Sequence, residues 1–131
     1  NPDYALRAAQ AILASRQRDT AAAMQWADRA VEANPRFNQA HLSRARLGML
    51  IGTDGEAISR DFIAAIERNP RDIRLRLEYA EHLSRIGRPI ACAEQIEAAL
   101  AIHDAYDPGE PERLAPSFAS ELRQRARLLR E

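Results

Sequence analysis

Hydrophobic residues recur at steps of three and four along most of the chain, which is the spacing of one face of an α-helix. Two such stripes, separated by a short break, are Leu75, Tyr79, Leu83 and Ile86, then Cys92, Ile96, Ala99 and Leu100. The break is Gly87-Arg88-Pro89. Glycine can take the left-handed conformation that ends a helix, and proline suits the first turn of the next. The pattern predicts a helix–turn–helix hairpin.

Two preceding segments follow the same pattern. Gly52 ends a predicted helix that begins near Asn38, and Thr53-Asp54-Gly55-Glu56 has the form of a capping box for the next helix. In the first segment Asp19-Thr20 supplies a helix start, and Arg18 stands where the others have glycine. The predicted helices span residues 3–16, 20–33, 38–51, 55–68, 72–86 and 89–102.

Asn-Pro dipeptides separate these hairpins, at Asn1-Pro2, Asn34-Pro35 and Asn69-Pro70. The prolines lie 33 and 35 residues apart (35 − 2 and 70 − 35). Because proline disfavours helical geometry in the residue before it, each Asn-Pro ends a hairpin. A period of about 34 residues is typical of helical repeat arrays, in which each helix pair stacks on its neighbours.

The repeat pattern stops after residue 102. Residues 107–111 are turn-rich, and a final helix is predicted from about Ser117. Its apolar side carries Phe118, Leu122, Ala126 and Leu129, and its arginines, Arg123, Arg125, Arg127 and Arg130, lie largely opposite. A terminal repeat needs a helix with one polar face to cover its apolar surface. Residues 117–130 are therefore predicted to cap the array after a linker at 105–116.

Small residues recur in register when the units are aligned on their prolines. In the first helices they are Ala11, Ala45 and Ala80; in the second helices they are Ala23 and Ala30 of unit one and Cys92 and Ala99 of unit three. This pattern resembles the tetratricopeptide repeat, a helix pair of about 34 residues. Unit two has one extra residue, so either Ala64 or Ala65 takes its last small position. The family's large aromatic residue near the start of each unit is replaced by Arg7, His41 and Arg76.

The resemblance implies an all-α fold: a right-handed superhelical array of three tetratricopeptide-like hairpins plus a C-terminal capping helix. Residues 1–131 then form one domain, with repeats at about 3–35, 36–70 and 71–104. In this family the first helices line a concave groove that takes a peptide or a partner protein. The positions that this implies are Ile12, Arg16, Gln39, Leu42, Arg46, Met49, Arg74, Leu77, Glu81 and Arg85. The Lys and Asn of the family's chaperone-binding carboxylate clamp are replaced by Ala8 and Ile12, which disfavours that partner class.

The charge balance narrows the choice of partners. There are 19 basic and 19 acidic residues, so no overall field attracts nucleic acid or an anionic membrane. All the basic residues are arginine, which is typical of a GC-rich bacterial genome. No apolar run reaches the roughly 20 residues that span a bilayer. Because the chain starts without methionine on a repeat boundary, we expect an excised module of a larger bacterial protein. Its cellular compartment is either the bacterial cytoplasm or the periplasm.

Few side chains suggest catalytic chemistry. Cys92 occupies a small-residue packing position and is expected to be an inert buried contact. The three histidines, His41, His82 and His103, form no metal-ligand pattern. Glu78 and Glu81 lie one turn apart and are expected to form ion pairs with Arg74 and Arg85. We therefore expect no enzyme activity, cofactor or metal.

Two functional hypotheses remain. The first is a protein–protein interaction scaffold that binds a peptide or partner protein in the concave groove. The alternative is a structural spacer or self-association module of a membrane-anchored envelope or assembly protein, which associates through its open N-terminal edge. Trp26 either anchors a partner or packs between units.

Overall fold

The structure, a computed structural model, describes residues 2–131, apart from the side chains of residues 2–4, 6, 9 and 13. Asn1 of the first Asn-Pro lies outside the described residues. This part of the chain forms six α-helices and no strand. They are α1 (Pro2–Ala33), α2 (Asn38–Ile51), α3 (Gly55–Arg68), α4 (Ile73–Arg85), α5 (Pro89–Ala105) and α6 (Pro116–Leu129). The all-α prediction is confirmed.

Two of the three predicted hairpins are present, α2 with α3 and α4 with α5. Each turn contains a glycine in the left-handed region, Gly52 at φ 80° and Gly87 at φ 74°. A residue with a Cβ is strained at such angles, so these two positions need glycine. The turns inferred from the sequence are therefore the turns of the structure.

The prediction of a first hairpin was wrong. The helices expected at residues 3–16 and 20–33 are one continuous helix of 32 residues. Arg18 stands where the other turns have glycine, so no left-handed residue ends the helix there. Thr20, predicted to start a new helix, instead donates its hydroxyl to the carbonyls of Arg16 (3.0 Å) and Gln17 (2.9 Å) within the same helix. The repeat assigned to residues 3–35 is thus not a hairpin in this structure.

The extra residue of the second unit lies in its turn. The distance from proline to glycine is 17 residues in both units (52 − 35 and 87 − 70). However, α3 begins three residues after Gly52 and α5 only two after Gly87. The α3 cap is also one residue later than predicted, because the Asp54 carboxylate, not the Thr53 hydroxyl, accepts from the amide of Glu56 at 3.3 Å. Ala65 is fully buried and Ala64 is not, which resolves the register of that unit.

A single hydrophobic core runs through α2 to α6. The small residues predicted at close helix crossings of units two and three are buried, with Ala45, Cys92 and Ala99 at 0% exposure and Ala80 at 1%. The prediction fails in unit one, where α1 does not fold back: Ala11 and Ala30 are exposed and Ala23 is half-buried. Cys92 is a buried contact as expected, and burial raises the pKa of its thiol. Between the hairpins the rings of Phe62, Tyr79 and His82 stack on one another.

Helix α6 packs against α5. It buries Ala119, Leu122 and Ala126, and its outer arginines form ion pairs with α5. These pairs join Arg123 to Asp104 at 2.8 Å and Arg130 Nε to Glu97 Oε2 at 2.9 Å.

At the other end of the chain, α1 contacts α2 and buries Ala27 and Val31. None of the six described helices has a stretch long and apolar enough to span a bilayer.

Candidate binding face and cleft

Ion pairs connect the three helices α2, α4 and α6 across one side of the molecule. Arg46 of α2 donates from Nε and Nη2 to the two carboxylate oxygens of Glu78 on α4, at 2.9 and 2.7 Å. Glu81, one turn further along α4, lies 3.8 Å from Arg125 of α6. We call the exposed surface of α2, α4 and α6 around these pairs the first-helix face.

Most groove residues inferred from the sequence lie at the surface. Those exposed are Ile12, Arg16, Gln39, Arg46, Arg74, Glu81 and Arg85. Met49 and Leu77 are half-buried and pack against the core. Leu42 is only 7% exposed, so its assignment to the groove was wrong. Its side chain belongs to the core of the α2–α3 hairpin.

The structure does not bring all of these positions together. Ile12 and Arg16 lie on the first half of α1, where every described side chain from residue 5 to residue 19 is exposed. The buried contacts of α1 lie further along, at Ala27 and Val31. Because α1 is one continuous helix that buries only residues near its C-terminal end, Ile12 and Arg16 are not part of the surface that α2, α4 and α6 share.

The charges of the first-helix face are paired only partly as expected. The predicted pair of Glu81 with Arg85 is present, at 3.6 Å. Glu78, however, pairs with Arg46 of the neighbouring hairpin. Arg74 forms no salt bridge with any residue whose side chain is described. Arg46 is thus occupied within the protein, whereas Arg74 is open to a partner.

A cleft of about 760 Å³ adjoins this face. It lies between the start of α4, the segment 106–115 that connects α5 to α6, and the start of α6, and we call it the α4–linker cleft. Its apolar lining is Ile73, Leu77, Leu114 and Phe118. Phe118 is 43% exposed although phenylalanine is usually buried, so an apolar surface is open to solvent at this point.

Three arginines border the cleft, and two of them contact Tyr106. The guanidinium of Arg71 lies 5.0 Å from the centre of the Tyr106 ring. Arg113 donates from Nη1 to the carbonyl oxygen of Tyr106 at 2.6 Å. Arg74 has neither contact. The two acids of the cleft are Asp72, which accepts from the amide of Leu75 as the α4 cap, and Glu112. The cleft therefore combines an apolar floor with an excess of one positive charge (three arginines against two acids).

A buried histidine fixes the linker that forms one wall of the cleft. The backbone amide of Leu114 donates to Nδ1 of His103 at 3.0 Å, and the His103 side chain is only 2% exposed. Burial lowers the pKa of His103, and the nearby charge of Arg113 lowers it further. The neutral ring keeps Nδ1 as an acceptor, so the linker stays attached to α5 near neutral pH.

A second cluster of charges joins α1, α2 and α3, beside a smaller cleft of about 320 Å³. Arg44 donates from Nε and Nη2 to the two oxygens of Asp61, both at 2.8 Å, and from Nη1 to Asp28 at 3.3 Å. Burial opposes the ionisation of Asp61, but hydrogen bonds from Arg44 and His41 outweigh it and lower its pKa. This cluster connects helices of the fold, and its strongest donors are already used within the protein.

Of the twelve residues that line the cleft, only Arg74 and Leu77 were assigned to a binding site from the sequence, so ten were missed. Seven of these ten come from the linker 106–115 and α6, which carry no repeat signal that would place them beside α4. Trp26, for which packing between units was one expectation, is 68% exposed and lies beneath the guanidinium of Arg29. Among the described residues, no group of three His, Cys, Asp or Glu side chains is placed to hold a metal ion.

No protein-family model matches this sequence, and no curated protein matches it. A solved structure does match the fold: the type III secretion translocator chaperone SycD of Yersinia enterocolitica. The TM-score is 0.66, and the match covers 93% of this chain and 79% of SycD at 10% sequence identity. At that identity the likeness concerns the fold, which is a helical repeat of the tetratricopeptide-like kind.

Proposed function

We propose that this chain is a protein-binding scaffold of the tetratricopeptide repeat family, a non-catalytic module of a larger bacterial protein. Its partner, a peptide segment or the surface of another protein, binds on the first-helix face and in the α4–linker cleft. The observation that carries the proposal is the cleft itself: an apolar floor of Ile73, Leu77, Leu114 and Phe118, open to solvent and bordered by arginines. Concave, mainly apolar sites with a few polar groups are where proteins take ligands.

The fold supports the same proposal. SycD, the protein of similar fold, is a type III secretion translocator chaperone, and this likeness supports a protein-binding role for the present chain. The balanced charge of this chain, 19 basic and 19 acidic residues, favours a protein partner over nucleic acid.

Selection from a peptide library displayed on phage, with the immobilised domain as bait, tests the proposal without assuming the partner. We expect enriched peptides whose binding shifts backbone NMR signals of α2, α4 and α6. Signals that shift only on α3 and α5 would contradict the proposed face, and a library without enriched sequences would contradict the function. Arg68, an exposed residue of α3, provides a control position whose charge reversal should leave binding unchanged.

A second candidate is the spacer or self-association module, and one observation favours it. The first half of α1 leaves Ile12 54% exposed, and Trp26 further along is 68% exposed. A second copy of the chain could cover these side chains. Light scattering after size-exclusion chromatography tests this candidate: a dimer that Ile12→Glu/Trp26→Glu converts to a monomer would support it, and a wild-type monomer at high concentration would exclude it.

A further inference from the structure

The α4–linker cleft offers a ligand two kinds of contact, because a positive charge, unpaired among the described side chains, lies beside its apolar floor. Ile73 is 5% exposed and forms the base, while Phe118 presents 43% of its surface at the opening. Arg74 stands on the first turn of α4 within the same lining, without a salt-bridge partner among the described side chains. A ligand that matches both features needs an apolar group beside an anionic one.

The other two arginines of the rim are each held by a contact with Tyr106. Arg71 rests on the ring of Tyr106, and Arg113 is held by the Tyr106 carbonyl. Arginines fixed in this way lose less side-chain freedom when they bind an anion. The carboxylate of Asp72 faces the amide of Leu75 as a helix cap, so it competes little with a ligand for these guanidinium groups.

We infer that the α4–linker cleft binds an acidic amphipathic segment of a partner protein, in which apolar side chains are flanked by Asp or Glu. The apolar side chains lie on Ile73, Leu77, Leu114 and Phe118, and the flanking carboxylates pair with Arg74 and Arg71. This inference rests on the proposed function, and it names the chemistry of the partner. The apolar floor favours such a peptide over an RNA phosphate backbone, which carries no apolar side chain.

The test uses defined probes. The first is a short acetylated and amidated peptide in which Glu residues flank a central Leu-Phe pair. Three matched peptides replace its Glu by Gln, its Glu by Lys, or its Leu-Phe by Ala-Ala, and oligouridine is the RNA probe. Binding to the whole domain is measured by fluorescence anisotropy and mapped by NMR.

The acidic peptide is expected to bind at least about tenfold more tightly than each matched peptide and than oligouridine. Its NMR shifts are expected at residues 71–77 and 103–118. Equal affinity for the Gln peptide, shifts elsewhere, tighter oligouridine binding, or no binding of the acidic peptide would each overturn the inference. A phage selection that enriches peptides of another chemistry would leave the scaffold function standing and remove only this inference.

Variants locate the contact. Arg74→Glu should weaken the acidic peptide at least about tenfold, and α4 should stay folded because Glu suits the first turn of a helix. Arg127→Glu makes the same charge change at an exposed position of α6 outside the cleft and should bind as wild type does. Phe118→Ala tests the apolar contact without a change of charge. If Arg74→Glu or Phe118→Ala binds as tightly as wild type, the assigned site is wrong.

Discussion

His41 and Arg76 make equivalent contacts in successive hairpins, although one is an imidazole and the other a guanidinium. Nε2 of His41 lies 2.7 Å from the carbonyl oxygen of Pro35, and Nε of Arg76 donates to that of Pro70 at 3.0 Å. These two prolines close the preceding units. Each side chain therefore ties the start of its hairpin to the repeat boundary, where the tetratricopeptide pattern usually has an aromatic residue.

The same two side chains also reach the second helix of their own hairpin. Nδ1 of His41 lies 3.0 Å from the carboxylate of Asp61, and Nη1 of Arg76 donates to the side-chain oxygen of Gln95 at 3.2 Å. Polar bridges thus replace an apolar contact in both units.

Removing one of these bridges should be measurable. Arg76→Ala deletes two hydrogen bonds at a half-buried position, and we expect a loss of about 1 kcal/mol in the free energy of unfolding by urea. Arg74→Ala, two residues away and exposed, is the matched control and should change stability by less than about 0.5 kcal/mol. Equal values for the two variants would show that the Arg76 bridge contributes nothing.

The Arg44–Asp61 pair should be among the most costly polar contacts to break. Asp61→Asn leaves Arg44 without its bidentate partner, and we expect a loss of roughly 2–3 kcal/mol, below that of a fully buried pair because Arg44 is 29% exposed. Asp28→Asn, at a half-exposed partner of the same arginine, should cost under about 0.5 kcal/mol. Urea unfolding of both variants measures the difference.

The pH dependence of that pair follows from the lowered pKa of Asp61. The stabilisation is complete above the ordinary Asp value of 3.8 and is lost as pH falls through the lower folded pKa. The stability difference between wild type and Asp61→Asn should therefore shrink in strongly acidic buffer. A constant difference down to that range would contradict the ionised pair.

His103 should make stability sensitive to mild acid. Its folded pKa is lowered, so its contribution is complete above the ordinary value of 6.5 and is lost as pH falls from there towards the folded pKa. Protonation of Nδ1 also removes the acceptor of the Leu114 amide. We expect wild type to lose stability between about pH 7 and pH 5 more steeply than His103→Asn, whose amide oxygen can still accept but does not titrate. A folded His103 pKa at or above 6.5, measured by NMR, would refute this prediction.

The small residues at the helix crossings should not tolerate enlargement. Ala80→Leu and Ala99→Leu each force a larger side chain into a site with at most 1% exposure, and we expect each to cost about 1–3 kcal/mol. At this chain length that loss lowers the Tm by several degrees. Ala101→Leu, at an exposed position of α5, is the control and should melt close to wild type. Unchanged melting of both core variants would show that these crossings are looser than described.

The continuity of α1 can be tested by a distance. Ala8 and Arg29 are exposed and 21 residues apart (29 − 8). A straight helix separates their backbones by about 32 Å, whereas the hairpin that the repeat pattern suggests would bring them within roughly 10–15 Å. Spin labels on Ala8→Cys/Arg29→Cys, read by pulsed electron resonance, separate the two cases. Wild type labelled in parallel checks that the buried Cys92 takes no label.

The structural features that could be predicted from the sequence are those that depend on local chemistry. Gly52 and Gly87 mark two turns because left-handed backbone needs glycine, and the burial of Ala45, Ala80 and Ala99 followed from their spacing. The first hairpin was wrongly predicted because the repeat period suggested a turn near residue 18. Arg18 is not a glycine and does not end the helix there. Periodicity shows which face of a helix is apolar. It does not distinguish one long helix from two helices that form a hairpin, because apolar residues recur at the same spacing in both.

The candidate site was predicted only in part. Arg74 and Leu77 lie on α4 and were found from the repeat register, and both line the cleft. Tyr106 and Arg113 come from the linker, which is held by the hydrogen bond from the Leu114 amide to His103 and by that from Arg113 to the Tyr106 carbonyl. The linker carries no repeat pattern from which these contacts could be predicted, so this wall of the cleft became visible only in three dimensions.

The additional residue in the α2–α3 turn has a practical consequence for protein engineering. It lengthens one hairpin at its outer end while Phe62 and Ile96, 34 residues apart, remain fully buried in the common core. Thr53 and Asp54 are both exposed, so the loop between Gly52 and Gly55 is the natural place to splice in a tag or reporter. None of the residues from Gly52 to Gly55 lines the α4–linker cleft, so an insertion there leaves the cleft lining unchanged.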